Sequence, residues 1–298
     1  EYLKQVGWPG KPCAESYLRK CICKDNIRKV VKVDICPICA GTTKRKYSKK
    51  EIEEHKQLWY TQKAAMKGQM EKLRTGILKG CLIVQDFSQI DLSPSGYIQD
   101  FIVVVYKKEI DYPALERTYL HYVGNSGEKN DLHFVKGCYD DILKKIDLKQ
   151  GEELRIWSDG ARKHFKQSGM MRFISELQEW LRPRAISVQY NFYASYHGHN
   201  ACDGVANHAK QRLKNFQLST GIPVSNQGDV VAQLKFLKSS VVTNAVLVPG
   251  KPPKVPTLDG ISAFHNFLFP VKNQISAYSN SDMLDSPHNF YYEYYKYQ

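Results

Sequence analysis

The stretch Cys81-Leu-Ile-Val-Gln-Asp86-Phe87 begins directly after Gly80 and decides how the rest of the chain is interpreted. It is a short run of apolar and β-branched residues, which is typical of a buried strand. The preceding residues 48–79 are rich in helix formers, so the change of composition predicts that a second domain begins at residue 80. Asp86 stands at the predicted end of this first strand, over residues 81–86.

The elements that follow predict a mixed α/β sheet. A turn at residues 93–96 joins the first strand to a second one, and three strands precede the first helix of this domain. The predicted order is strand 97–107, strand 118–123, helix 131–145, strand 154–158, helix 165–181, strand 185–193 and a helix that begins near Asp203. Three antiparallel strands followed by alternating helices and strands favour a sheet with helices on its faces.

Three acidic residues follow or end elements of this predicted sheet: Asp86, Asp159 and Asp203. If the first and fourth strands are neighbours, their carboxyl ends bring Asp86 and Asp159 together, and close carboxylates repel each other unless cations bridge them. The pattern therefore predicts a site for two Mg²⁺ or Mn²⁺ ions that acts on a phosphodiester bond. Each residue alone has a simpler interpretation, a turn for Asp159 and a helix N-cap for Asp203.

These residues resemble the ribonuclease H-like fold of DDE/DDD transposases and retroviral integrases. The resemblance covers residues 80–218 and rests on Leu82-Ile-Val-Gln-Asp86-Phe87, on Arg155-Ile-Trp-Ser-Asp159-Gly160 and on the late Asp203 that opens a helix. The segment from Tyr196 to Arg212 is also similar to a His-Gly-Lys-Gly-x-x-Asp-Gly stretch of transposase-derived eukaryotic proteins. No Glu lies between Glu179 and Glu293, so Asp203 must be the third acid, and the adjacent Gly204 is consistent with a close backbone approach.

The resemblance implies a five-stranded sheet in the order 3-2-1-4-5, and metal-dependent cleavage and strand transfer of double-stranded DNA at transposon ends. It also implies a homodimer and a nuclear location. Two alternatives stay open: another ribonuclease H-like nuclease, such as a junction resolvase or an RNase, and a domesticated DNA-binding protein without catalysis.

The amino-terminal quarter is strongly basic. Residues 1–80 contain 19 basic and 8 acidic residues, and they account for most of the net charge of +13 on the 298 residues. Such an arm suggests a polyanionic partner, because phosphate contacts release counterions, although a solvated helical surface is the alternative. The composition, with 42% hydrophobic residues and no apolar run of about 18, excludes wholesale disorder and a membrane span.

Five of the eight cysteines lie within residues 13–39. Cys21-x-Cys23 and Cys36-Pro-Ile-Cys39 form two close pairs, the arrangement in which four thiolates surround a structural Zn²⁺. The first pair is tightly spaced, so Cys13 and His55 are possible substitutes for Cys21 or Cys23. Buried free cysteines and disulfides are the alternatives, but the basic flanks and the absence of a leader favour a reducing, intracellular compartment.

The predicted domain plan has four parts. Residues 1–47 form the zinc-binding module, 48–79 a connecting helix capped by Ser48 and Glu51, 80–218 the catalytic domain and 219–298 an aromatic-rich extension. The aromatic end can stack on unpaired bases or cover the edge of the sheet. Further candidates are phosphate contacts at Arg162, Lys163 and Lys166, and a catalytic histidine or a second zinc site among His197, His199, Cys202 and His208.

Overall fold

The computed structural model describes nine segments of the chain: residues 36–94, 96–108, 114–125, 132–160, 164–195, 200–238, 240–244, 257–281 and 286–291. Their helices and strands belong to one compact unit, Pro37–Gln298. Several predicted site residues lie outside the described residues, namely Cys13, Cys21, Cys23, Arg162, Lys163, His197 and His199. Among the described residues, no helix is both long and apolar enough to cross a membrane.

The described residues form five α-helices and nine strands. The helices are α1 (Lys49–Thr75), α2 (Leu132–Ile146), α3 (Ser168–Leu181), α4 (Ala201–Thr220) and α5 (Gln227–Leu234). The strands are β1 (Gly80–Asp91), β2 (Tyr97–Lys108), β3 (Leu115–Val123), β4 (Glu153–Ser158), β5 (Ser187–Phe192), β6 (Ser240–Asn244), β7 (Asn266–Leu268), β8 (Gln274–Tyr278) and β9 (His288–Tyr291).

All nine strands belong to one mixed sheet in the order β6-β3-β2-β1-β4-β5-β7-β8-β9. The central strands follow the order 3-2-1-4-5, with β1 antiparallel to β2 and parallel to β4. The expected size of five strands is wrong. The last eighty residues supply β6, which pairs with β3, and β7 to β9, which continue from β5, so both edges of the central five are covered. Covering an edge satisfies backbone groups that otherwise invite aggregation.

The two faces of the sheet are packed by different helices. Along β1, Cys81 and Ile83 face a core that contains the apolar residues of α2 and α3, whereas Leu82 and Val84 face one that contains residues of α1 and α4. This alternation follows from the period of two in a strand. Burial on both faces explains why the first part of β1, Cys81-Leu-Ile-Val84, is continuously apolar instead of alternating.

Helix α1 begins and ends close to its predicted bounds. Ser48 is its N-cap and forms a capping box with Glu51, and Gly76 ends it in the left-handed region at a φ of 79°. The helix does more than connect two parts of the chain, because it packs on the sheet. Gln69 Oε1 accepts a hydrogen bond of 2.9 Å from the buried indole of Trp157 on β4.

Candidate active site

The register of the central strands places Asp86 beside Asp159. Strands β1 and β4 run parallel, and their last pair is Gln85 with Ser158. The residue that follows each member of this pair is an aspartate. Strand β4 ends there, but β1 continues to Asp91 because β2 still pairs with it. The prediction that Asp86 is the last residue of its strand is therefore wrong. Asp86 nevertheless lies one residue past its last pair with β4, so it is still a neighbour of Asp159.

Helix α4 brings Asp203 to the same edge. The buried Cys202 thiol donates to the carbonyl oxygen of Val84 at 3.3 Å, which fixes the first turn of α4 on β1. Asn200 is the N-cap: its Oδ1 accepts from the Cys202 N–H, and Asp203 Oδ2 accepts from the Asn200 N–H at 2.8 Å. The interpretation of Asp203 as the N-cap is wrong: Asn200 is the N-cap, and Asp203 is the third residue of α4, whose carboxylate completes the capping box.

Asp86 is the electrostatic centre of the group. Burial raises its pKa to about 7, and the negative charges of Asp159 and Asp203 add to that shift. Two hydrogen bonds oppose it, from the Phe87 N–H at 2.8 Å and from Asn200 Nδ2 at 3.1 Å. The register of β1 with β4 and the bonds of Asn200 to Asp86 and Asp203 bring these residues to one edge of the sheet.

A buried polar network supports this edge from the opposite face of the sheet. Gln85 Nε2 donates to Ser158 Oγ at 2.9 Å, and Gln85 Oε1 accepts from the Tyr139 hydroxyl at 2.7 Å. The Tyr190 hydroxyl completes the group at 3.1 Å from Ser158 Oγ. Sequence reasoning missed these residues, yet a signal exists: a polar residue, Gln85 or Ser158, follows apolar residues and directly precedes each of the two aspartates.

The glycines that follow Asp159 and Asp203 have different roles. A Cβ at Gly160 would lie 3.1 Å from the carbonyl oxygen of Tyr193, so Gly160 permits the chain after Asp159 to approach β5 closely. At Gly204, by contrast, no described atom lies within 4 Å of the position that a Cβ would take. The expectation that Gly204 allows a close approach is therefore not supported by the described residues.

The acids suit hard cations, but not a single ion held by all three. Carboxylate oxygens are the ligands that Mg²⁺ and Mn²⁺ prefer. Within the described residues, however, Asp86, Asp159 and Asp203 do not form a group whose ligand atoms all lie within 4.8 Å of one another. Asp86 interacts with both of the other acids, so it is the carboxylate that two ions could share.

A second group of ligands lies near the start of α1. Cys36, Cys39 and His55 have ligand atoms within 4.8 Å of one another, and no other set of three in the described residues meets that distance. Cys39 lies within a turn in which the Thr42 N–H donates to the Pro37 carbonyl, and Cys36 directly precedes that turn. Burial lowers the pKa of His55, so its imidazole is neutral and able to bind a metal at neutral pH.

Comparison with known proteins gives one match. The profile of a family described as a domain of unknown function, DUF8701, matches residues 101–281, which is more than half of the chain. The chain belongs to the DUF8701 family. No curated protein and no solved structure matches it. The DUF8701 match includes Asp159 and Asp203, whereas Asp86 and the group of Cys36, Cys39 and His55 precede it.

Within the DUF8701 match, the structure corrects two other predictions. Lys166 is only 3% exposed, with its ammonium 5.3 Å from the ring centre of Phe192, so it is not a surface contact for phosphate. Burial raises the pKa of Cys202 far above its usual value, and its thiol is directed at the sheet, so a second zinc site that includes Cys202 is excluded. His208 is exposed on α4.

Proposed function

We propose that this chain is a metal-dependent nuclease of the DDD transposase type, which cleaves and transfers strands of double-stranded DNA. One observation carries the proposal: the register of β1 with β4 puts Asp86 beside Asp159, and Asn200 at the start of α4 bonds to both Asp86 and Asp203. Burial raises the pKa of Asp86 to about 7, and the charges of the other two acids add to that shift. The ribonuclease H-like assignment is supported by the central strand order 3-2-1-4-5, with Asp86 on the middle strand and Asp203 on the helix after β5.

The residues present fit a pair of hard cations. Asp86 would be shared, and Asp159 and Asp203 would each complete one ion's ligands. Mg²⁺ or Mn²⁺ bound there supplies charge stabilisation to the attacking and leaving oxygens of a phosphodiester displacement. The chain's own contribution is positional: the register of β1 with β4 fixes two acids, and the Asn200 cap fixes the third.

The group of Cys36, Cys39 and His55 supports a structural Zn²⁺. Two sulfur ligands and one imidazole match the soft and borderline donors of zinc sites, and Cys13, Cys21 and Cys23 remain candidates for the fourth ligand. We infer that this zinc orders the basic amino-terminal arm for contact with the DNA backbone in a nuclear, reducing compartment.

Cleavage assays with Mg²⁺ or Mn²⁺ test the proposal. We expect nicking of duplex DNA, and a loss of at least about 100-fold in Asp86→Asn and in Asp159→Asn, because each change removes an anionic ligand from a site worth several kcal/mol. The control is Asp140→Asn, which neutralises an exposed aspartate on α2. Wild-type rates in both active-site variants would refute the nuclease.

The choice of substrate separates the alternatives. Faster cleavage of a four-way junction or an RNA:DNA hybrid than of duplex DNA would favour a resolvase or an RNase. The charge of residues 1–80 favours a second candidate, a DNA-binding protein without catalysis. That candidate predicts no cleavage of any substrate, and DNA affinity that is unchanged in Asp86→Asn.

A further inference from the structure

A cavity of about 670 Å³ lies beside α4, β2 and β3. Helix α4 forms one wall with Gly204 and His208, strands β2 and β3 form another with Tyr106, Arg117 and Tyr119, and Lys238 closes it from the segment after α5. Tyr106 belongs to the core between α4 and the sheet, and Tyr119 packs against that core. The cavity is therefore built on helix and strand.

The charged side chains that line the cavity favour an anionic ligand. Arg117 and Lys238 carry positive charges, His208 adds a ring N–H, and no carboxylate is among the described residues that line it. In the part of the chain that the structure describes, none of these three forms a salt bridge. Cationic groups that line a cavity without an ion-pair partner are suited to bind a phosphate.

The cavity is larger than a phosphate ion and has aromatic as well as cationic walls. Its volume lies in the range of small-molecule sites, and its aromatic walls are the side chains of Tyr106 and Tyr119. The Arg117 guanidinium lies 5.6 Å from the ring centre of Tyr106, so the cationic and the aromatic surfaces adjoin each other. A ligand that carries a phosphate next to a flat ring matches both surfaces at once.

We propose that this cavity binds one nucleotide of a single nucleic-acid strand. Its phosphate lies among Arg117, His208 and Lys238, and its base packs against Tyr106 and Tyr119. The inference rests on the proposed nuclease function, whose third acid, Asp203, directly precedes Gly204 in the cavity wall.

Fluorescence anisotropy with a labelled oligothymidylate in EDTA tests this without any dependence on cleavage. We expect Arg117→Ala/Lys238→Ala to raise the Kd about tenfold at moderate salt, and to reduce the slope of log Kd against log salt by about 0.7 for each lost phosphate contact. The matched control is Lys214→Ala/Lys235→Ala, which removes the same charge from exposed positions that do not line the cavity.

The control result decides whether the cavity or the general charge matters. An equal loss in both double variants, or no loss in either, would overturn the cavity site. Tyr119→Leu keeps the apolar contact but removes the ring, and we expect it to weaken binding about fivefold with an unchanged salt slope, as base stacking requires. An unchanged Kd in Tyr119→Leu would overturn the assignment of the base.

Competition identifies the ligand and separates this proposal from the nuclease. We expect thymidine monophosphate to displace the oligonucleotide from wild type more effectively than inorganic phosphate does, and equal competition by the two would overturn the nucleotide. A chain that binds in this way but never cleaves refutes the nuclease alone, whereas one that cleaves while both double variants bind alike refutes the cavity alone.

Discussion

The chain contains two groups of possible metal ligands that are built in opposite ways. The acids Asp86, Asp159 and Asp203 come from distant parts of the sequence and supply only oxygen ligands. The other group consists of Cys36, Cys39 and His55, which lie within twenty residues and supply sulfur and nitrogen. Ligand type decides which metal each group prefers, hard cations for the first and zinc for the second. A turn and one helix assemble the second group, whereas the first needs the whole sheet.

The largest expected effect follows from this difference in ligands. Cys39→Ser should lower the zinc that remains bound after dialysis from about one ion per chain to a small fraction, because a thiolate ligand is lost. Metal analysis by mass spectrometry measures it. Asp86→Asn is the matched variant at the other group and should leave bound zinc unchanged. Loss of zinc in Asp86→Asn, or its retention in Cys39→Ser, would show that the two groups do not divide metals in this way.

The same contrast explains what the sequence could predict. The cysteines are visible from their spacing alone, since local ligands need no knowledge of the fold. The acids became predictable only through the order of the central strands, because one correct register, Gln85 with Ser158, places Asp86 and Asp159 side by side. Strand periodicity and the turn residues between elements predicted the strands. The adjacency of β1 and β4 was an assumption, and the order 3-2-1-4-5 came only from the resemblance to the ribonuclease H-like fold.

Other features could not be predicted, for physical reasons. Strands β7 to β9 contain three to five residues, too few for an alternating pattern to stand out. The packing of α1 on the sheet could not be predicted, because its buried face includes Gln62 and Gln69 beside apolar residues. The hydrogen bonds of Gln85 reach residues that are 54 to 105 positions away in the sequence, so no local sequence pattern indicates them.

The second prediction concerns the stability of the acidic group without metal. The pKa of Asp86 is raised from 3.8 to about 7, so the folded chain binds the proton more tightly than the unfolded chain does. The stability that this proton gives is present below about pH 4 and is lost as the pH rises to about 7. Asp86→Asn should therefore raise the free energy of unfolding by roughly 2 to 4 kcal/mol at pH 8, and by much less at pH 4.

Urea unfolding in EDTA at both pH values measures this effect, with Asp140→Asn as the control that removes an exposed charge. Added Mg²⁺ should stabilise wild type at pH 8 and stabilise Asp86→Asn less, because the variant lacks the shared ligand. The Cys36, Cys39 and His55 group should not respond to Mg²⁺. A wild type that is as stable as Asp86→Asn at pH 8 would show that the acids are not crowded enough to need a cation.

The smallest expected effect separates the two roles of Asn200, which caps α4 and also donates to Asp86 at 3.1 Å. Asn200→Ala removes both and should cost about 1 kcal/mol of cap stability at every pH. Asn200→Asp keeps a good cap but replaces the donor with a fourth carboxylate, which raises the pKa of Asp86 further. Its loss of stability should therefore be small near pH 4 and grow as the pH rises.

Ser48→Ala is the counterpart at the other group, because Ser48 caps the helix that carries His55. It should also cost about 1 kcal/mol, with no change between pH 5 and pH 8, since only Glu51, whose pKa is already lowered, titrates beside it. Urea unfolding compares the three variants directly. Equal losses in Asn200→Asp at low and high pH would mean that Asn200 acts as a cap alone, and that the charge of Asp86 is balanced by some other donor.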